Sequence, residues 1–156
     1  MIPDGVIEIG ENAFSGCYAL TSIIIPDSVT SLGGYIFYGS GIENITLGRG
    51  ITVIPYNAFG RCKFTSLVIP EGITEIGGLT FQENSSLISV TLPSTIEKIN
   101  SRAFENCLSL TTVIIPETVT VIEFTGEEWS NAFGNCQRLN LVSQSAIRRR
   151  GYTGRF

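Results

Sequence analysis

The chain has 156 residues, 43% of them hydrophobic and 15% charged, with 14 acidic and 10 basic side chains and no histidine. The missing histidine excludes Ser-His-Asp and Cys-His catalysis and every His-based metal site. No apolar run approaches the length of a membrane-spanning helix, while the chain is long enough to bury one core. The N-terminal stretch Met1-Ile2-Pro3-Asp4-Gly5 has neither a basic nor an apolar segment of the export-signal kind, so no export signal is expected in this chain. Charge is uneven. Residues 1–137 carry all fourteen acids against five bases, a net of −9, whereas residues 138–156 hold five Arg and no acid. That boundary predicts a change of structural role.

Taken in chain order, an apolar-Pro pair recurs at Ile2-Pro3, Ile25-Pro26, Ile69-Pro70, Leu92-Pro93 and Ile115-Pro116, with Leu47-Gly48 filling the gap in register; successive anchors lie 23, 22, 22, 23 and 23 residues apart. Each anchor is followed by an apolar pair three apart (Val6/Ile9, Val29/Leu32, Ile51/Ile54, Ile73/Ile76, Ile96/Ile99, Val119/Ile122), then by Phe14, Phe37, Phe59, Phe81, Phe104 or Phe133. Next come Leu20, Ile42, Phe64, Leu87, Leu110 and Leu139, each expected to lead into an apolar strand such as Ser22-Ile23-Ile24-Ile25. A period of this length with Leu-x-x-Ile-x-Ile spacing is the signature of a leucine-rich repeat. One coil cannot bury its apolar columns alone, but stacking at strand spacing, about 4.8 Å, seals each column against its neighbours. The strand alternates, so Leu20, Ile23 and Ile25 point inward and Ser22 and Ile24 outward. Proline closes the strand where its missing N–H is harmless. The Val-x-x-Ile pair predicts a second, shorter extended segment, and Asn-Ala-Phe a helical turn that inserts the ring. The fold class expected is therefore a leucine-rich repeat solenoid: a right-handed stack of about six coils, with a parallel β-sheet on one face and short extended or helical segments opposite.

At this point the motif becomes specific. Ile-Pro-Asp-Gly-Val-Ile-Glu-Ile-Gly-Glu-Asn-Ala-Phe-Ser-Gly-Cys-Tyr-Ala-Leu (residues 2–20) resembles the BspA-like, Treponema-type leucine-rich repeat, and the likeness extends over nearly the whole chain. The ending 146–154 is similar to C-terminal ends of that family. Repeats 2 and 4 depart from it, with Ile36 and Thr80 in place of Ala and Ser40 and Asn84 in place of Cys. The resemblance implies an exported or surface-attached bacterial protein serving in adhesion or protein–protein interaction. The expected division is a repeat array over 1–142 and a C-terminal cap helix and tail over 143–156. In the tail, Ser143 is the expected N-cap and Gly151 the expected C-cap of a helix near 144–150.

Several motifs have a chemical reading and a structural one. The column Cys17, Ser40, Cys62, Asn84, Cys107, Cys136 reads as a polar ladder satisfying buried backbone, since its thiols lie on different coils; only Cys107 and Cys136 sit on adjacent coils. The turn residues Asp4, Asp27, Arg49, Glu71, Ser94 and Glu117 read as a solvated edge, because Arg49 and Ser94 interrupt any carboxylate array. Arg148-Arg149-Arg150 reads as a helix terminus complementing its dipole, against a nucleic-acid patch. Repeat 6 carries a six-residue insertion holding Phe124 and the sole Trp, Trp129, either a contact loop or a cover for the core end. The sequons at Asn44 and Asn84 match a common pattern.

These readings lead to a non-catalytic module with no cofactor, no metal, no nucleic-acid partner and no membrane span. Its expected contact surface is the outward strand row Ser22, Ile24, Asn44, Thr46, Ser66, Val68, Ser89, Thr91, Thr112 and Ile114, uncharged throughout, with Trp129 as a second contact. Such a row suits a protein or glycan and is poor for phosphate. The alternative is a spacer with no ligand of its own. Because the array starts mid-coil, self-association through the first repeat is also expected.

Overall fold

A computed structural model of the chain describes residues 1–123 and 131–156. The insertion with Phe124 and Trp129 lies outside the described residues. The six coils, each beginning at one of the anchors above, build three strips. The first consists of three-residue strands: β2 (Ser22–Ile24), β4 (Asn44–Thr46), β6 (Ser66–Val68), β8 (Ser89–Thr91) and β10 (Thr112–Ile114). The second consists of two-residue strands: β1 (Glu8–Ile9), β3 (Ser31–Leu32), β5 (Val53–Ile54), β7 (Glu75–Ile76), β9 (Lys98–Ile99) and β11 (Val121–Ile122). Every pairing is parallel and joins equivalent positions of successive coils, such as Val68 with Thr91 and Ile76 with Ile99.

The third strip carries the phenylalanines. Five stacked ring pairs run from Phe14 to Phe133 with centroids 5.2–5.5 Å apart and planes within 16° of parallel. This is the offset-stacked arrangement that aromatic quadrupoles favour. The segment around each Phe is a run of turns, not the helical turn expected. Two positions in most coils adopt left-handed backbone: Asn12, Tyr35, Asn57, Leu79 and Arg102 at the first, and Gly16, Gly39, Arg61, Glu83, Asn106 and Asn135 at the second. Asn and Gly tolerate this region, whereas Leu79 or Arg61 costs roughly 1–2 kcal/mol. The strain is held by bonds between coils: Phe14, Phe37, Phe59, Phe81 and Phe104 N–H each donate to the next coil at 2.7–2.9 Å. A helix would turn those donors onto its own chain and leave the coils unlinked.

The expected polar column has a definite task. Cys62, Asn84, Cys107 and Cys136 donate to the carbonyl of the preceding coil's Phe at 3.2, 2.8, 3.2 and 3.0 Å. All four cysteines are free thiols. Burial raises the Cys62 thiol to about 11 and Cys136 to about 12. The acidic turn residues also bond to backbone: Asp27 accepts from Arg49 N–H at 2.8 Å, and Glu71 from Ser94 N–H at 3.0 Å.

Both strand strips break between coils 2 and 3. β4 pairs with β2 and not β6; β5 pairs with β7 and not β3. Residues 44–54 thus lean on coil 1–2 backbone at one end and on coil 4 at the other. The crossing point is Gly48-Arg49-Gly50. A Cβ on Gly48 would lie 2.3 Å from the Pro26 carbonyl oxygen, and one on Gly50 2.5 Å from that of Val29. Only glycine permits this approach, which is why the anchor proline is absent here. Pro55 then removes the donor that, in coils 2, 4 and 5, joins Gly33, Gly77 and Asn100 to the coil before. The Phe strip stays closed across the same junction, with Tyr35, Phe37 and Gly39 N–H bonded to coil 3.

At the C-terminus α1 (Leu141–Arg149) replaces the long strand of coil 6. Its N-cap is Asn140, whose side chain accepts from Ser143 N–H at 2.8 Å. Ser143, the expected cap, is instead buried inside the first turn, and its Oγ accepts from Val113 N–H at 3.0 Å. The serine therefore satisfies the open edge of β10. Arg150 is the C-cap, followed by Gly151 at φ +86°. Tyr152 packs edge-on against Phe133, ending the ring stack. The arginines fan out: Arg148 lies over the Phe156 ring at 4.8 Å, and Arg150 Nε donates to the Pro116 carbonyl at 3.4 Å. Among the described residues, no helix is long and apolar enough to cross a membrane.

Candidate binding face

The alternation of the long strands places all ten predicted contact residues on one outward face. Ser22, Ile24, Asn44, Thr46, Ser66, Val68 and Ile114 are exposed, while Ser89, Thr91 and Thr112 are half-buried. Rows form across the pairings: Ile24 beside Thr46, and Val68, Thr91 and Ile114 in line. The face is bounded at one end by α1, where Asn140 Nδ2 donates to Thr112 Oγ1 at 3.2 Å. A flat row of hydroxyls and β-branched side chains offers contact area with little rotamer entropy to lose.

The row is not continuous. A cleft of about 760 Å³ runs from the coil 1 residues Met1, Ile2, Phe14, Leu20 and Ile23 to the place where β4 fails to pair with β6. Its walls include the outward Thr46 and Val68, and its floor the core positions Ile45, Phe64 and Leu67. Ile45 points inward yet is only half-buried, whereas its counterparts Val90 and Val113 are 1% and 3% exposed. Leu47 N–H lacks the bond that Ile25, Ile69 and Leu92 N–H make to Thr46, Thr91 and Ile114. Thr65 N–H likewise lacks the bond that Glu43, Ile88 and Thr111 N–H make to the coil before. Sequence reasoning missed this cleft. Its signals were the Gly48 anchor, read as filling the gap in an unbroken register, and Pro55, to which no role was given.

Comparison with known proteins fits this geometry. A family profile described as a BspA type leucine rich repeat region matches residues 7–140 in six copies. The chain belongs to the BspA-type leucine-rich repeat family. Among solved structures it is similar to a leucine-rich repeat protein of T. pallidum, with 26% identity and a TM-score of 0.68, covering 99% of this chain and 82% of that one. It is also similar to a leucine-rich cell surface protein of Faecalibacterium prausnitzii, with 34% identity and a TM-score of 0.70 over 86% of this chain. There the BspA-type chain spans 34% of its relative's length. A leucine-rich repeat protein of Bacteroides ovatus matches with 26% identity and a TM-score of 0.61, over 86% of this chain and 40% of that one. Among curated protein sequences no significant match is found.

Proposed function

We propose that the chain is a non-catalytic interaction module of an exported or surface-attached bacterial protein, binding a protein or glycan through the long-strand face. The observation that carries this reading is the set of exposed or half-buried, uncharged side chains from Ile24 to Ile114, aligned in two rows on the stacked strands. The cell-surface description of the Faecalibacterium relative supports the location. Two paired substitutions test it against immobilised matrix proteins and a glycan array: Thr46→Arg with Val68→Arg, and Thr91→Arg with Ile114→Arg. The fold should survive, and at least one pair should weaken binding tenfold or more. Binding untouched by both pairs would move the site elsewhere, and no binding by the unaltered chain would favour the spacer reading.

A polypeptide of residues 1–156 also leaves Ile2, Val6, Phe14, Leu20 and Ile23 half-covered at coil 1. Self-association through that coil is part of the same proposal. Light scattering should show a concentration-dependent mass; a strict monomer at high concentration would contradict it.

A further inference from the structure

The break between coils 2 and 3 puts three things together on the candidate face. Two parallel strand edges, β4 and β6, face each other with no backbone bond between residues 44–46 and 66–68. They border one end of the cleft, where Ile45 and Phe64 form its floor; the other end reaches Ile2, Phe14 and Leu20 of coil 1. On its rim stands Glu43, exposed and without an ion-pair partner among the described residues. Coils 1 and 2 carry an excess of acid, with five carboxylates and no Lys or Arg in residues 1–48, while Arg61 and Lys63 of coil 3 line a neighbouring hollow with Glu43.

Asn44, Thr46, Thr65, Ser66 and Val68 are exposed, so the unpaired backbone groups of these edges face solvent and are open to a ligand. They recur along each edge with the rise of an extended chain, about 3.3 Å per residue. A sugar does not present amide donors and carbonyl acceptors at that repeat; a polypeptide strand does. The apolar floor selects for β-branched side chains on the inward face of such a strand, and the uncompensated carboxylates select for cationic ends. Resting on the reading of the strand face as the contact surface, we propose that the cleft between coils 2 and 3 docks an extended polypeptide segment with alternating β-branched residues and flanking Lys or Arg. The segment's backbone pairs with the open edges of β4 and β6, its inward side chains lie on Ile45 and Phe64, and a flanking cation meets Glu43. The remaining carboxylates of coils 1 and 2 draw it in from solution.

The probe is an acetylated seven-residue peptide that alternates Thr with Val and Ile between terminal lysines. It is titrated into the intact chain by amide NMR, up to about 1 mM, where even a weak complex is visible. The expected result is saturable shifts of the Leu47 and Thr65 amides. The same peptide with a central Pro, which deletes a backbone donor, should bind at least tenfold more weakly. Glu43→Gln should weaken binding severalfold and flatten its salt dependence, and Val68→Lys should weaken it further. Shifts confined to Ser89, Thr91 and Thr112 would overturn the cleft while leaving the strand-face reading intact. No shift with any amide would overturn the cleft alone, because the paired arginine substitutions score the face with other ligands. Saturable shifts of Leu47 and Thr65 by a cello-oligosaccharide, with none by the peptide, would also overturn it in favour of a glycan.

Discussion

Coils 1–2 and coils 4–5 are written in the same pattern, yet the same columns behave differently in the two places. Phe14, Leu20, Ile23 and Ile45 are half-buried, while Phe81, Phe104, Leu87 and Leu110 are fully enclosed. The residue types are alike, so the difference comes from neighbours. Coil 4 has a bonded coil on each side along all three strips, and coil 5 lacks one only beside β10, where α1 covers the edge. Coil 2 meets coil 3 along its Phe strip and through the Arg49–Asp27 and Lys63–Ile42 bonds, with neither strand strip paired, and coil 1 is bonded to coil 2 alone among the described residues. In a stacked array the worth of a side chain is set by the coil beside it more than by the side chain itself.

The largest test of that contrast is to delete one ring in each region. Phe81 is enclosed between Phe59 and Phe104, with Phe64 edge-on, so Phe81→Ala should cost about 3–5 kcal/mol in denaturant unfolding. Phe14 touches one ring of the stack and is half-buried, so Phe14→Ala should cost less than half as much. Equal costs would mean that neighbours do not set the value. A Phe81→Ala cost under about 1 kcal/mol would contradict the column itself.

A smaller effect separates the regions by their thiols. Burial holds Cys62 at about 11 and Cys136 at about 12, and raises Cys107 well above the ordinary value of 9.0. An exposed-thiol reagent should modify half-buried Cys17 first and leave the other three slow in the folded state. The same shifts give a pH dependence. On unfolding, these thiols regain their ordinary value and release protons as the pH passes 9.0, whereas the folded state keeps them until about 11 or above. The unfolded state then binds fewer protons, so stability is complete below pH 9.0 and falls as pH rises from there toward 11. Cys62→Ser, which copies Ser40 of the neighbouring coil, should lessen that fall; an unchanged alkaline profile would show that burial of Cys62 does not contribute.

Much of the fold was legible because each apolar column is repeated six times, so a single ambiguous residue is outvoted by its register. The parts that were not legible depend on contacts between coils. Leu79, Arg61 and Glu83 are not left-handed formers by type, and only the next coil's carbonyls hold them there, so a helical turn was the better local guess. Asn140 and Ser143 are both good N-caps; choosing between them requires seeing that Val113, thirty residues earlier, needs an acceptor. Leu47-Gly48 was visible as a departure, but its joint effect with Pro55 on strand pairing arises only in three dimensions. On the candidate face, period-two alternation was enough to place the ten outward residues, and not enough to show that the row is split.

The junction of coils 2 and 3 is closed on the Phe strip and open on the strand strips. Residue-resolved hydrogen exchange on the intact chain tests it most directly. Phe37 and Phe59 amides, bonded to the next coil at 2.9 Å each, should be protected, as should Ile69 and Ile88. Leu47 and Thr65, in the same coils but without backbone acceptors, should exchange orders of magnitude faster. Protection of Leu47 and Thr65 equal to that of Ile69 and Ile88 would show an unbroken sheet and contradict the account.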